Sequence, residues 1–282
     1  MPEGPCQTRL WLGASGLILN RWGIILELAA EVSRSRTVTA ADRGKALDAE
    51  PNAEIKQNNP TNTKKSKAEE TPMEVAEKFL YALNKKNKER KKAIFFDRDG
   101  VLITDKHYIK KIEDVELIEG AKKAILKSKD ENYVNIIITN QSGISRGFYS
   151  WDEYFKINQQ MRLLMGEASE QIAAIYANGY INSHPSTLWR KPNPGMLLEA
   201  AKDFNLDLEI SLIVGDRLTD LQAGLKAGIS TFVHVETGHG IQEKEDVINW
   251  FNHLKTTEEK QGHKRELKLY RVQSIKELIK II

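Results

Sequence analysis

From Lys92 onward, short apolar runs alternate with stretches patterned like helices. The runs are AIFF (Ala93–Phe96), VNIIIT (Val134–Thr139), IAAIYA (Ile172–Ala177), SLIVG (Ser211–Gly215) and STFVHV (Ser230–Val235). They are largely unalternated, and such runs suit strands buried on both faces. The stretches between them are EGAKKAILKSKDE (Glu119–Glu131), SWDEYFKINQQMRLLM (Ser150–Met165), NPGMLLEAAKDF (Asn193–Phe204) and TDLQAGLKAG (Thr219–Gly228). Regular alternation of strand and helix predicts an α/β fold, a parallel sheet with helices on both faces. Residues 239–264 are charged and polar and read as an insertion, with a helix expected at EKEDVINWFNHLK (Glu243–Lys255). The last sixteen residues, LKLYRVQSIKELIKII, read as a short strand and a closing helix.

Upstream of Lys92 the pattern is different. LWLGASGLIL (Leu10–Leu19) and NRWGIILELAA (Asn20–Ala30) are apolar, but Asn20 and Arg21 divide them and Glu27 follows. Neither half reaches the length of a membrane span, and no convincing small-residue cleavage site follows. Residues 33–71 are polar and resemble a disordered linker. The expected organisation is therefore an extension at 1–72 that is poorly structured or dispensable, a helical lead-in at 73–91 and a folded α/β domain at 92–282.

Composition adds limits. The 282 residues are 40% hydrophobic and 29% charged, which suits one or two globular domains. A formal charge of +3, much of it in KKNKERKK (Lys85–Lys92), is too weak to argue for nucleic acid. The only cysteine, Cys6, excludes an internal disulfide and a cysteine-rich zinc site, and fits a reducing compartment such as the cytoplasm.

The chemistry is expected where ligands bind in open parallel sheets, beyond the carboxyl ends of the strands. Asp97 and Asp99 follow the first run, and their i, i+2 spacing projects two carboxylates to one side. Such a pair needs a metal ion or a shared proton, although an Asx turn or a calcium loop has the same local look. Thr139 and Asn140 end the second run, and Asp216 follows SLIVG. Lys191, held extended by Pro192, is placed to point into the same crevice, ahead of a helix capped by Asn193 with Pro194 as its first residue. Asp220 is open to two roles, a partner for Lys191 or a helix cap.

Together these groups suit a dianion bridged to a hard cation. Asp97, Asp216 and the carbonyl oxygen of Asp99 would ligate Mg2+. Asp97 would attack phosphorus, and Asp99 would protonate the leaving oxygen and then activate water. Thr139 and Lys191 would hold the phosphoryl oxygens.

The motifs DRDGVL, TNQSGISRG, RKPNPGM and GDRLTDLQAG resemble, in order, those of the haloacid dehalogenase superfamily, across roughly residues 92–238. The nearest resemblance is to its branch of heptose bisphosphate and histidinol phosphatases. It implies a Rossmann-like core with a minimal cap or none, and Mg2+-dependent hydrolysis of a small phosphomonoester. By motif, Asp97 is the expected nucleophile, Asp99 the acid and base, and Asp216 the third metal residue. Thr139, Asn140, Gln141, Ser142 and Lys191 are the expected phosphate binders, and Arg146 and Arg190 are placed to meet a second phosphate. These favour a sugar bisphosphate, with histidinol phosphate or another small phosphomonoester as the alternative and a non-catalytic scaffold or a polynucleotide 3′-phosphatase as more distant ones. A monomer with a small phosphorylated substrate, and neither nucleic acid nor membrane as partner, is the expectation. One departure stands out. The branch commonly carries a cysteine-rich zinc loop, and here Ile181, Ser183, Thr187 and Trp189 occupy the ligand positions with only His184 beside them, so no zinc is expected in this protein.

Overall fold

The computed structural model describes residues 7–12, 18–19, 90–181, 187–260 and 265–282. The strands are β1 (Gln7–Leu12), β2 (Ile18–Leu19), β3 (Ala93–Phe96), β4 (Val134–Asn140), β5 (Ile172–Asn178), β6 (Leu212–Gly215), β7 (Thr231–Val235) and β8 (Lys268–Val272). The helices are α1 (Ala121–Asp130), α2 (Trp151–Met165), α3 (Gly195–Phe204), α4 (Leu218–Ala227) and α5 (Gly240–Lys260). Every predicted strand and helix from Ala93 to Ala227 is present.

The sheet order is β2-β1-β5-β4-β3-β6-β7-β8. Strands β5 through β8 in that order pair in parallel, with β3 between β4 and β6. The chain thus leaves β3 toward β4 on one side and later returns to β6 on the other, opening a crevice at the carboxyl end of β3.

The period-two geometry of the strands divides the core between two faces. Ile94, Phe96, Ile137, Ile175, Val214 and Val233 pack on one face with Ile125 of α1 and Ile157 and Met161 of α2. Phe95, Ile136, Ile138, Tyr176, Ile213 and Phe232 pack on the other with Leu197 of α3, Leu221 of α4 and Phe251 of α5. Both faces of the parallel strands from β3 to β7 are covered, which is why their sequences lack polar alternation.

Several expectations are corrected. The helix expected at Glu243–Lys255 within the charged stretch is present but longer, Gly240–Lys260, and it buries Val247 and Phe251. Its other faces remain solvated, which gives the stretch its polar composition. The helix after Pro192 begins at Gly195 with Pro194 in the cap position and no side-chain cap, so Asn193 is not its N-cap. The closing helix is a 3-10 segment, Ile275–Lys280. Residues 1–72 are not wholly without structure, because β1 pairs antiparallel with β5 and β2 with β1. The predicted linker and lead-in, up to residue 89, lie outside the described residues. Among the described residues no helix is long and apolar enough to cross a membrane.

Candidate active site

Asp97 stands directly after β3, its main-chain N–H donating to Val214 O at 2.9 Å across the β3–β6 crevice. Its carboxylate is buried, and Lys191 Nζ lies 2.8 Å from Oδ1. The same ammonium reaches Asp220 Oδ1 at 2.7 Å and donates to the carbonyl of Ile138 at 3.1 Å. All three of its N–H donors are therefore spent on the protein. Burial alone would depress Lys191, but Asp220 and Asp97 outweigh it and hold the group above the usual lysine range. Burial raises Asp97 to about 7 against the opposing pull of Lys191.

Asp220 fills both roles open to it in the sequence. One oxygen meets Lys191, and the other accepts the main-chain N–H of Arg217 at 3.0 Å at the start of α4.

Asp216, after β6, is 1% exposed. Its Oδ2 accepts the His239 N–H at 2.8 Å, while its Oδ1 is buried without a partner. The backbone closes around it: a Cβ on Gly100 (φ +82°) or Gly238 (φ +58°) would stand 2.4 or 2.3 Å from Oδ2, so both positions must be glycine. Burial, reinforced by the charges of Asp97 and Asp220, raises Asp216 to about 9. Carboxylate oxygens of Asp97, Asp216 and Asp220 lie within 4.8 Å of one another. Since both oxygens of Asp220 are already bonded, Asp97 and Asp216 are the side chains left to hold a cation. An orphaned carboxylate oxygen among crowded anions, with oxygen donors throughout, fits a hard divalent ion.

Asp99 is turned away from this cluster. Arg98, 2% exposed, grips both its carboxylate oxygens through Nη2 at 3.0 Å, and Gln141 Nε2 donates to Oδ2 at 2.8 Å. Arg98 is itself held by Asn158 Oδ1 at 3.2 Å and lies over the ring of Tyr154. Thr139 Oγ1 accepts from Gln141 Nε2 at 2.7 Å, and Tyr149 donates to Gln141 Oε1 at 2.5 Å. Asn140, expected at the phosphate, spends its side chain elsewhere. Its Nδ2 donates to Lys191 O and its Oδ1 accepts from Lys191 N–H, each at 3.1 Å.

A cleft of about 600 Å3 opens over these groups, lined by Asp99, Asn140, Gln141, Ser142, Arg146, Arg190 and Lys191. Asp97, Thr139 and Asp216 are bonded to lining residues, through Lys191, Gln141 and His239 respectively. All the predicted site residues thus converge at one place. Two were missed. Arg98 stands between the two aspartates, where its sequence position was itself a signal. Arg217 lines the cleft as well, and the like charges of Arg146 and Arg217, after burial, push Arg190 below the usual arginine range. In the loop read as having lost its zinc ligands, residues 182–186, including His184, lie outside the described residues.

Comparison with known proteins agrees with this geometry. A HAD-hydrolase-like family model matches residues 188–253. The D-glycero-alpha-D-manno-heptose-1,7-bisphosphate 7-phosphatase of Campylobacter jejuni is 39% identical over 165 residues, 58% of this chain and 92% of its own. The D-glycero-beta-D-manno-heptose-1,7-bisphosphate 7-phosphatase of Pasteurella multocida is 37% identical over 161 residues, 54% of this chain and 86% of its own. The chain belongs to the haloacid dehalogenase superfamily. Among solved structures of that superfamily, D,D-heptose 1,7-bisphosphate phosphatase from B. bronchiseptica, complexed with magnesium and phosphate, aligns with a TM-score of 0.56 at 25% identity. The alignment covers 67% of this chain and 97% of that one.

The chain is accordingly a phosphoric monoester hydrolase with the Rossmann-like fold of the superfamily. In this phosphatase the described geometry supplies a buried carboxylate beside a lysine, a second carboxylate free to take a cation, and arginines above them.

Proposed function

We propose that this phosphatase removes the 7-phosphate from D-glycero-D-manno-heptose 1,7-bisphosphate, through an aspartyl-phosphate on Asp97 and with Mg2+ as its metal. One observation carries the reading. Lys191, paired with the buried Asp97, and Arg146, Arg190 and Arg217 line one cleft, so a substrate with two phosphates meets positive charge from Lys191 and from the arginines. The named relatives act on such bisphosphates, which supports the choice. Histidinol phosphate would bring a cationic amine toward those arginines, and like-charge juxtaposition disfavours it.

Asp97 and Asp216 would hold Mg2+, with the Asp99 carbonyl, and the ion would neutralise charge on the transferring phosphoryl group. Asp97 attacks phosphorus, forming the acyl phosphate as the P–O bond to the sugar breaks. Lys191 favours the ionised form of this nucleophile against the burial that raises it. Asp99 gives its proton to the leaving sugar oxygen, then takes one from the water that hydrolyses the aspartyl-phosphate. To reach either, Asp99 must turn out of the grip of Arg98 and Gln141. The net reaction consumes water and yields the sugar monophosphate and inorganic phosphate. The partner in this reading is a small molecule only, and the protein acts in the cytoplasm as a monomer.

The test is phosphate release measured side by side on both anomers of the heptose bisphosphate, on histidinol phosphate, and on an aryl phosphate. The reading expects kcat/KM for one heptose bisphosphate at least tenfold above the other classes. A comparable or higher value for histidinol phosphate overturns the substrate assignment.

A further inference from the structure

At the rim of the same cleft, a second group of side chains has a different chemistry. Asp105, His107 and His239 offer ligand atoms that all lie within 4.8 Å of one another, and all three residues line the cleft. Asp105 Oδ2 is 3.1 Å from His239 Nε2, and its Oδ1 accepts the main-chain N–H of His107 at 2.9 Å. The two imidazole rings face each other at 5.8 Å between centroids with 33° between their planes. An Asp–His contact alone would be an ordinary hydrogen bond. The second imidazole, with a ring nitrogen within the same 4.8 Å, makes it a three-donor group.

We propose that Asp105, His107 and His239 form a transition-metal site, suited to Zn2+, separate from the hard-cation site at Asp97 and Asp216. This goes beyond the phosphatase reading and does not depend on it. Imidazole nitrogen and one carboxylate oxygen are the donors that Zn2+ takes, at about 2.0–2.2 Å, and three protein ligands leave a coordination position for water or a bound oxyanion. Donors that distant from a tetrahedral ion stand roughly 3.3 Å from each other, which the Asp105–His239 spacing already meets. His107 is exposed, so its ring can swing the remaining distance without disturbing the core. The two sites differ in softness as well as place: all-oxygen donors favour Mg2+, whereas imidazoles favour Zn2+ and Co2+. Binding displaces any proton shared by His239 and Asp105 to solvent. His239 also joins the sites physically, because its main-chain N–H bonds Asp216 while its ring belongs to the rim. The rim residues are unrelated to the loop whose lost cysteines argued against zinc.

Co2+ alone, titrated into the chelator-treated full chain in saturating Mg2+, provides the readout through its visible absorption bands. Zn2+ is then added to displace it. The expectation is one saturable, Zn2+-displaceable Co2+ site, weakened at least tenfold by either His107→Asn or His239→Gln and lost in the double variant. Asn tolerates the positive φ of 51° at position 107, and both substitutions keep the main-chain N–H, so the variants should stay folded. His253→Ala, on the exposed face of α5, should leave the titration unchanged. No saturable signal in the parent protein, or an unchanged signal in the folded double variant, overturns the proposal.

Discussion

The side chain of Asn140 holds the peptide of Lys191 from both sides, donating to its carbonyl and accepting from its N–H, each at 3.1 Å. A residue that ends β4 thereby fixes the backbone of a residue 51 positions later. The ammonium of Lys191 then reaches Asp97, Asp220 and Ile138 O at once. Since all its donors are spent, Lys191 serves first as the cation that keeps the nucleophile charged. A phosphoryl oxygen can gain a direct bond from it only by replacing one of those acceptors.

Asn140→Ala should therefore damage both stability and turnover. It removes two hydrogen bonds and strands the peptide of Lys191, a change of about 1–3 kcal/mol. The denaturant midpoint should fall by a corresponding amount, and kcat should fall more than tenfold as Lys191 loses its placement. An unchanged kcat would show that the position of Lys191 does not depend on Asn140.

The pH dependence of metal binding follows from Asp216. Burial raises it from 3.8 to about 9, so over that interval the metal-free folded state holds a proton that the unfolded chain releases. Stability of the metal-free protein should decline as pH rises from about 4 through 9. Mg2+ competes with that proton, and its stabilising effect on Tm should grow from pH 6 to pH 8.5. Asp216→Asn should abolish most of this Mg2+-dependent shift. A Tm increment from Mg2+ that is the same at both pH values would contradict the placement of the ion.

Arg146→Ala tests the second phosphate. Losing a charge-assisted contact of about 1.5–3 kcal/mol should lower kcat/KM for a heptose bisphosphate roughly ten- to a hundredfold. An aryl phosphate, with one anion, should be little affected. Equal losses on both substrates would assign Arg146 a structural role.

Much of this site was legible before any coordinates. Asp97, Asp216 and Lys191 could be placed because strand ends and an X-Pro bond dictate where a side chain stands locally. The roles of Asn140 and Arg98 were not legible, although Asn140 was expected in the site and Arg98 stands between two of its aspartates, because those roles depend on partners brought near only by tertiary packing: the backbone of Lys191, and Asn158 of α2. The helix at 240–260 was expected only over Glu243–Lys255, because Thr256–Lys260 carries no apolar residue to mark its continuation. Strand β1 was missed for a different reason. Its last residues, Leu10–Leu12, open an amino-terminal apolar stretch that pattern alone could not assign to a sheet whose partner for Gln7, Asn178, lies 171 positions on.

That strand makes truncation informative. A chain beginning at Met73 keeps the parallel strands and the helices on both faces, but leaves the β5 edge without β1. It should fold and retain phosphatase activity, yet self-associate more strongly than the full chain, because an unpaired strand edge is a template for pairing. Size-exclusion and light-scattering profiles compare the two proteins directly. A shortened protein that is unfolded by circular dichroism would show that the first strands are integral to the fold.

The central claim is that Asp97 carries the phosphoryl group. Quenching the protein during turnover of the heptose bisphosphate and reducing it with borohydride converts an acyl phosphate to the corresponding alcohol. Peptide mass spectrometry then reports which carboxylate was phosphorylated. The account predicts reduction at Asp97, dependent on substrate and Mg2+ and absent in Asp97→Asn, which should also lose phosphate release. Reduction at Asp99 or Asp216 instead, or near-parental phosphate release by folded Asp97→Asn, would contradict it.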